Sequence, residues 1–312
     1  MDEANTTGVL GGLLDAVTWL VTQIAMAFYN LGYAITHPQL WLDWSNPEAV
    51  MRVVYYGGSV EFFFVVFTTV LVLTAVGIWR NAFLWGGVIA LEGFANALGR
   101  VAAWAGLIMV LQQVIIVFMQ RIFAASEISL GFGTAVSFDV SWWSEELKLY
   151  NAMIVALCVS YTFVQHGHVR VDLFYSPARF RTKKIIDIFG ALFFMMPIAV
   201  ITWMYGWFFL WRHLVTPKPS ASEGLDRLLM KARAFRWNVE TIGFSPNGFN
   251  AYFLFKVLLV AFAGLVFLQA VALLWRSYLE FREGEESEAR YLDRDSLSDT
   301  TTESAEHVLE TR

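Results

Sequence analysis

The side chains best able to hold a transition metal or a haem are five histidines, His37, His166, His168, His213 and His307, and a single cysteine, Cys158. A bis-histidine haem needs two imidazoles facing one another inside a helix bundle. His166 and His168 stand two residues apart at the end of an apolar run, so on a helix they point in different directions. One cysteine excludes an intramolecular disulfide and a multi-thiolate metal site. The chain has no phosphate-binding glycine loop with its lysine and no HExxH pair. Oxygen and nitrogen chemistry elsewhere consists of isolated carboxylates and amides set in apolar surroundings: Glu61, Glu92, Gln112, Gln113, Gln120 and the pair Glu145–Glu146. An amide in such a setting hydrogen-bonds across a helix interface, so the helix carrying the three glutamines is expected to turn one face to protein. Nothing in this set points to catalysis, and the chain reads as a non-enzyme.

The elements that must position these groups are membrane spans. The chain is 57% hydrophobic and 16% charged, with mean hydropathy +0.52; soluble domains carry about 45–50% apolar and about 25% charged residues. Six apolar runs are long enough to cross a bilayer: 10–35, 58–79, 101–123, 147–165, 188–211 and 252–275. The expected fold is therefore all-α and polytopic, with about six transmembrane helices and short amphipathic surface helices. The N-terminal MDEANTTG lacks the basic start of a signal peptide, so the first run is expected to remain as a span.

Between the runs the sequence predicts four kinds of link. Residues 36–56, with Pro38, Pro47, Trp41 and Trp44, read as an aromatic interfacial loop. Residues 81–99 repeat Leu84, Val88, Leu91, Ala95 and Leu98 at helical spacing, with Glu92 and Asn96 off that face. They predict a helix on the membrane surface or bracing a neighbour, ended by Arg100. Residues 124–139 read as a Gly/Ser/Thr loop. In 213–250, Ser220-x-x-Glu223 has the form of a capping box ahead of an amphipathic helix through Leu225, Leu228, Leu229, Ala232 and Phe235. Glu61 lies in the first turn of its span, and Lys256 about one turn inside the last; both are expected to reach the interface.

Direction comes from the basic residues. Arg170, Arg179, Arg181, Lys183 and Lys184 crowd one short loop, which places it in the cytoplasm, and Arg80 and Arg100 agree in parity. Six spans then leave both termini cytoplasmic. The formal net charge of -5 gathers in the acidic tail beyond residue 280, which argues against nucleic acid and for a solvated, disordered end.

The segments VIIVFMQRIF (114–123), WWSEEL (142–147), HVRVDLFY (168–175), Asp187-x-x-Gly190 with a proline in the following span, and KVLLVAFAGLVFLQAVALLWRS (256–277) resemble one family. It is the small permease subunit of TRAP (tripartite ATP-independent periplasmic) transporters, of mannitol/chloroaromatic or dicarboxylate type. The resemblance covers about residues 96–277. It divides the chain into an N-terminal extension (1–98) with two extra spans and an amphipathic helix, a four-helix small-permease domain (99–278), and the acidic tail (279–312). It implies a scaffold in the bacterial inner membrane that braces a large permease subunit, while a periplasmic solute-binding protein delivers an organic acid or related solute. It implies no cofactor in this chain, with sodium coupling expected in the large subunit. Membrane lipids are the remaining partner.

Under that resemblance the residues expected at subunit interfaces or structural corners are Arg121, Glu145 and Glu146 at the outer corner, His168, Arg170 and Asp172 at the inner one, and Asp187 at the start of the fifth span. An extended Arg170-x-Asp172 would place both charges on one face, each able to make a charge-assisted hydrogen bond. Glu145, Lys148 and Lys184 read equally as plain interfacial charge. A reading from a different class stays open: a membrane anchor or cytochrome-like subunit of a redox complex.

Overall fold

The computed structural model describes residues 9–130, 136–165, 175, 177–241, 248–288 and 290–293. Among them six helices are long and apolar enough to cross a membrane. The chain is a polytopic, nearly all-α membrane protein. Its described residues form two compact units, one of 1–79 with 207–239, the other of 80–206 with 240–312.

In the first unit, α1 (Val9–Thr36) and α4 (Val60–Trp79) are spans that meet along a narrow seam. Ala27 is buried there, and Trp19 sets the edge of its ring against Phe64 at 5.3 Å. Between them lie α2 (Gln39–Leu42) and α3 (Pro47–Tyr56), so the stretch expected to be a loop is largely helical. The sequence carried the reason. Asn46 accepts the Glu48 N–H at 3.0 Å as an N-cap, with Pro47 in the first turn, where its missing N–H costs nothing.

Val50, Met51 and Val54 of α3 are fully buried against Leu228 and Ala232 of α9 (Leu225–Ala232), together with Trp211 and Val215. α9 is the expected amphipathic helix, docked on its own chain. Its capping box does not form: the helix starts at Leu225 with Gly224 as N-cap, so Ser220 stands too early. The Ser220 hydroxyl meets Ser222 at 3.0 Å, and the Glu223 carboxylate accepts from Lys231 at 2.7 Å. A two-residue ladder, β3 (Val215–Thr216) against β4 (Arg236–Trp237), closes this small cap.

The second unit is a four-helix arrangement. α5 (Asn81–Val117) runs into a π turn, Phe118–Ile122, making one helix of 42 residues. At 1.5 Å per residue this is about 60 Å, twice the ~30 Å hydrocarbon core. Arg100 does not end it, contrary to expectation. Its guanidinium reaches sideways to Asp293 at 3.0 Å while the backbone continues. Residues 81–99 are therefore the first turns of a span-bearing helix, and the boundary drawn at 98–99 falls within it. The Gly/Ser/Thr stretch that follows contains a hairpin, β1 (Glu127–Leu130) against β2 (Val136–Asp139). Ile128 is buried with Ile116 and Val140.

α6 (Val140–Val164) returns antiparallel to α5, and Gly99 is their point of closest approach. A Cβ added to Gly99 would lie 2.3 Å from the Tyr161 Cβ, so only glycine allows these backbones to meet. α7 (Phe180–Gly190), a π turn (Ala191–Met195) and α8 (Met196–Trp211) make one continuous helix. The π turn precedes Pro197: the Met196 N–H bonds the Ala191 carbonyl, and the wider turn accommodates a residue with no N–H to give. α10 (Phe253–Glu283) is the inner helix of the unit, and its last third is buried on nearly every side. It ends at Glu283, one residue past Arg282, which with Arg276 was expected to stop the span.

Candidate functional site

The dominant polar feature of the second unit is a set of charges at one end of its four helices, and it begins with Glu92. This carboxylate was expected off the packed face of its helix, yet only 5% of Glu92 is exposed. Its two oxygens take both prongs of the Arg276 guanidinium, Nε at 2.6 Å and Nη2 at 2.5 Å, a planar fork-to-fork pair. Arg276, 7% exposed, sends Nη1 to the Arg290 carbonyl at 3.1 Å and to Glu280 at 3.4 Å, and lies 5.5 Å from the centre of the Trp85 ring. Glu280, one turn further along α10, accepts from Lys184 of α7 at 2.7 Å. Two carboxylates and two cations thus balance one another across three helices.

A second layer adjoins this quartet. Asn96 is fully buried on α5; its amide donates to the Asp293 carbonyl at 2.8 Å, and its oxygen accepts from Gln165 at 3.1 Å. Gln165, at the end of α6, also donates to the Asp293 carbonyl at 2.9 Å. Toward the start of α5, Asn81 and the Trp85 indole each donate to Glu283 at 3.1 Å, and Arg282 donates to Asn81 at 2.8 Å. The chain after α10 is therefore part of the lattice as far as residue 293, where the sequence had suggested a solvated tail; residues from 294 onward lie outside the described ones.

Lys184 is the clearest correction among the charges. Expected as an exposed loop cation, it is 9% exposed and ion-paired, because α7 begins at Phe180 and turns this position toward α10. Glu92 and Arg276 were missed as partners. The available signal was a lone carboxylate in one apolar helix and a lone guanidinium in another, a combination that usually means pairing.

At the opposite end of α5 and α6 the expected outer-corner residues are only partly brought together. Gln112 donates to the Glu146 carboxylate at 3.0 Å and to the Trp143 carbonyl at 3.1 Å, and Tyr150 donates to Glu146 at 3.2 Å. This is the cross-helix amide expected of the glutamine face; Gln113 and Gln120 are exposed. Glu145 accepts the Phe249 N–H at 2.9 Å and thereby holds the segment leading into α10. Arg121 is exposed at the π turn, and among the described residues no ion pair joins it to Glu145 or Glu146.

Asp187 accepts the Tyr175 hydroxyl at 2.9 Å and so ties a residue five positions ahead of α7 to that helix. His168, Arg170 and Asp172 lie outside the described residues, as do His166 and His307. His37 is stacked on Tyr33 at 4.3 Å, and the His213 ring nitrogen lies 2.6 Å from the Phe209 carbonyl. Among the described residues no three His, Cys, Asp or Glu side chains are grouped to hold a metal ion. Lys256, expected to reach the interface, is paired with Glu240 of the link before its span at 3.3 Å.

The chemistry available at the inner lattice is that of a lock. Each of its four charges already has an oppositely charged partner within hydrogen-bond reach. Placed where water is scarce, such a set fixes helix register more than it adds stability. No protein-family model, curated protein or solved structure matches the chain.

Proposed function

We propose that the chain is the small integral-membrane subunit of a TRAP-type secondary transporter. It braces a large permease subunit that carries out ion-coupled, sodium-driven uptake of an organic acid handed over by a periplasmic binding protein. It is placed in the bacterial inner membrane with both termini in the cytoplasm.

The observation that carries this reading is the second unit. Its four helices carry the apolar segments of the resemblance, and the charged side chains buried between them, Glu92, Arg276, Glu280 and Lys184, are spent on one another. Outward, the same helices present large apolar side chains: Phe94, Val101 and Trp104 on α5, and Phe193, Ile198 and Ile201 on the helix of Pro197. A body locked inside and apolar outside suits a membrane scaffold. The orientation rests on the basic residues Arg179, Arg181 and Lys183 at the start of α7.

The test is co-expression of the tagged chain with the large permease subunit of a TRAP transporter. The two should co-purify in detergent. Reconstituted in liposomes with the binding protein and a sodium gradient, the pair should take up solute, and this chain alone should not. Uptake by the chain alone, or a Soret band in the purified protein, would overturn the reading.

A further inference from the structure

The start of α7 carries positive charge that the lattice does not use. Of its four basic residues Lys184 alone is engaged in ion pairs among the described residues, to Glu280 at 2.7 Å and to Glu288 at 3.6 Å. Arg179 and Arg181 are exposed, and among the described residues neither makes an ion pair or a hydrogen bond through its guanidinium. Arg181 lies 6.0 Å from the centre of the Phe281 ring, and Lys183 lies 5.4 Å from that of Tyr175. Aromatic faces hold these two cations in place without neutralising them. Two carboxylates of the neighbouring elements are committed elsewhere: Asp187 to the Tyr175 hydroxyl, Glu280 to Lys184 and Arg276.

Directly above this charge the same helix becomes apolar on its outer side. Ile185 and Phe189 follow Arg181 at steps of four residues, and Phe193 follows across the π turn; each is more than half exposed. Twelve residues at 1.5 Å rise separate Arg181 from Phe193 by about 18 Å, close to the ~15 Å of one bilayer leaflet. A cationic end joined to an apolar stripe one leaflet long has the dimensions and polarity of a phospholipid.

We infer that the outer face of α7 binds an anionic phospholipid, with Arg179 and Arg181 on the headgroup phosphate and the acyl chains along Ile185, Phe189 and Phe193. Charge selects the occupant. An apolar helix of a partner subunit would cover the stripe but bring no counter-charge to the two guanidinium groups, whereas a lipid phosphate neutralises them at the depth where they lie. Arginine suits this task better than lysine because its planar fork bonds two phosphate oxygens at once.

The experiment uses the purified full chain, so its outcome is separate from the subunit reading. The protein is exchanged into equimolar phosphatidylglycerol and phosphatidylcholine, and retained lipid is counted by native mass spectrometry. The wild type should retain phosphatidylglycerol preferentially. Arg179→Gln with Arg181→Gln should lower that preference about thirtyfold, given the attraction of each of the two basic residues to an anionic leaflet. Arg233→Gln, an exposed cation of α9, should leave it unchanged. Arg179→Lys with Arg181→Lys, which keeps the charge, should retain part of the preference and guards against a folding defect in the glutamine variant. An unchanged lipid ratio in the glutamine variant would overturn the proposal. So would a wild type that retains the two lipids in equal amounts.

Discussion

The two units of this chain are ordered by opposite means. In the first, the cap of α3, α9 and the β3–β4 ladder is held by aliphatic and aromatic burial: Val50, Met51, Val54 and Leu228 are inaccessible, and Trp44, Trp211 and Trp237 lie within 6.4 Å of one another. In the second, the helices α5, α7 and α10 are joined by Glu92, Arg276, Glu280 and Lys184. Water explains the contrast. Removing apolar surface from water drives folding wherever water is the alternative. A span surrounded by acyl chains gains little by hiding one more leucine, so close backbone approach and polar pairing must choose its neighbours. Gly99 against Tyr161, Gly87 beneath the Trp275 ring and the Ser160 hydroxyl on the Leu265 carbonyl at 3.1 Å belong to the same logic.

The comparison is broken most severely at the lattice. Arg276→Ala leaves Glu92 buried without its counter-charge, at a cost of about 3–5 kcal/mol. Thermal unfolding in detergent should show the loss, with less monodisperse protein recovered. Glu92→Leu combined with Arg276→Met should recover most of it, because no charge is then stranded and Glu280 keeps Lys184. A double variant as unstable as the single would mean that the ion pair itself, rather than its broken half, carries the stability.

In the first unit the corresponding change is Leu228→Ala, which empties a fully buried position at a cost of about 2–5 kcal/mol, the lower end applying if the cap can collapse. Hydrogen exchange should rise in α3 and α9. An equal rise in the last third of α10 would contradict the separation of the two modes of stabilisation.

The smallest effect concerns Asp139, the N-cap of α6. The Ser141 backbone N–H, bonded at 2.8 Å, and secondarily the Ser141 hydroxyl hold its carboxyl below the ordinary aspartate value. A lowered folded-state pKa stabilises the cap above the ordinary value, about 3.9. That contribution falls away as the pH drops through the lowered value. Amide exchange at Ser141 and Trp142, corrected for the intrinsic pH dependence, should therefore increase on acidification. Asp139→Asn keeps a competent cap and should remove this increase.

The sequence alone determined the spans, because a helix in hydrocarbon must be long and continuously apolar, and such runs are visible without neighbours. It also pointed to a cross-helix amide among Gln112, Gln113 and Gln120, of which Gln112 makes the bond, and to the amphipathic face of α9, since an amide in an apolar run and a 3.6-residue period are local signals. Links were harder to read. Arg100 looked like a stop, Ser220-x-x-Glu223 like a cap and residues 124–139 like a loop. Whether a helix continues, where it starts and whether two short segments pair depend on contacts that local composition does not encode. Lys184 shows the limit most plainly, for one lysine in a basic loop resembles the next. Only the packing of α7 on α10 turned it inward to Glu280 and left Arg179 and Arg181 outside. Glu92 and Arg276 are 184 residues apart in the chain, and nothing short of tertiary structure could join them. A charge pair is a relation between two helices in register, and register belongs to the folded bundle.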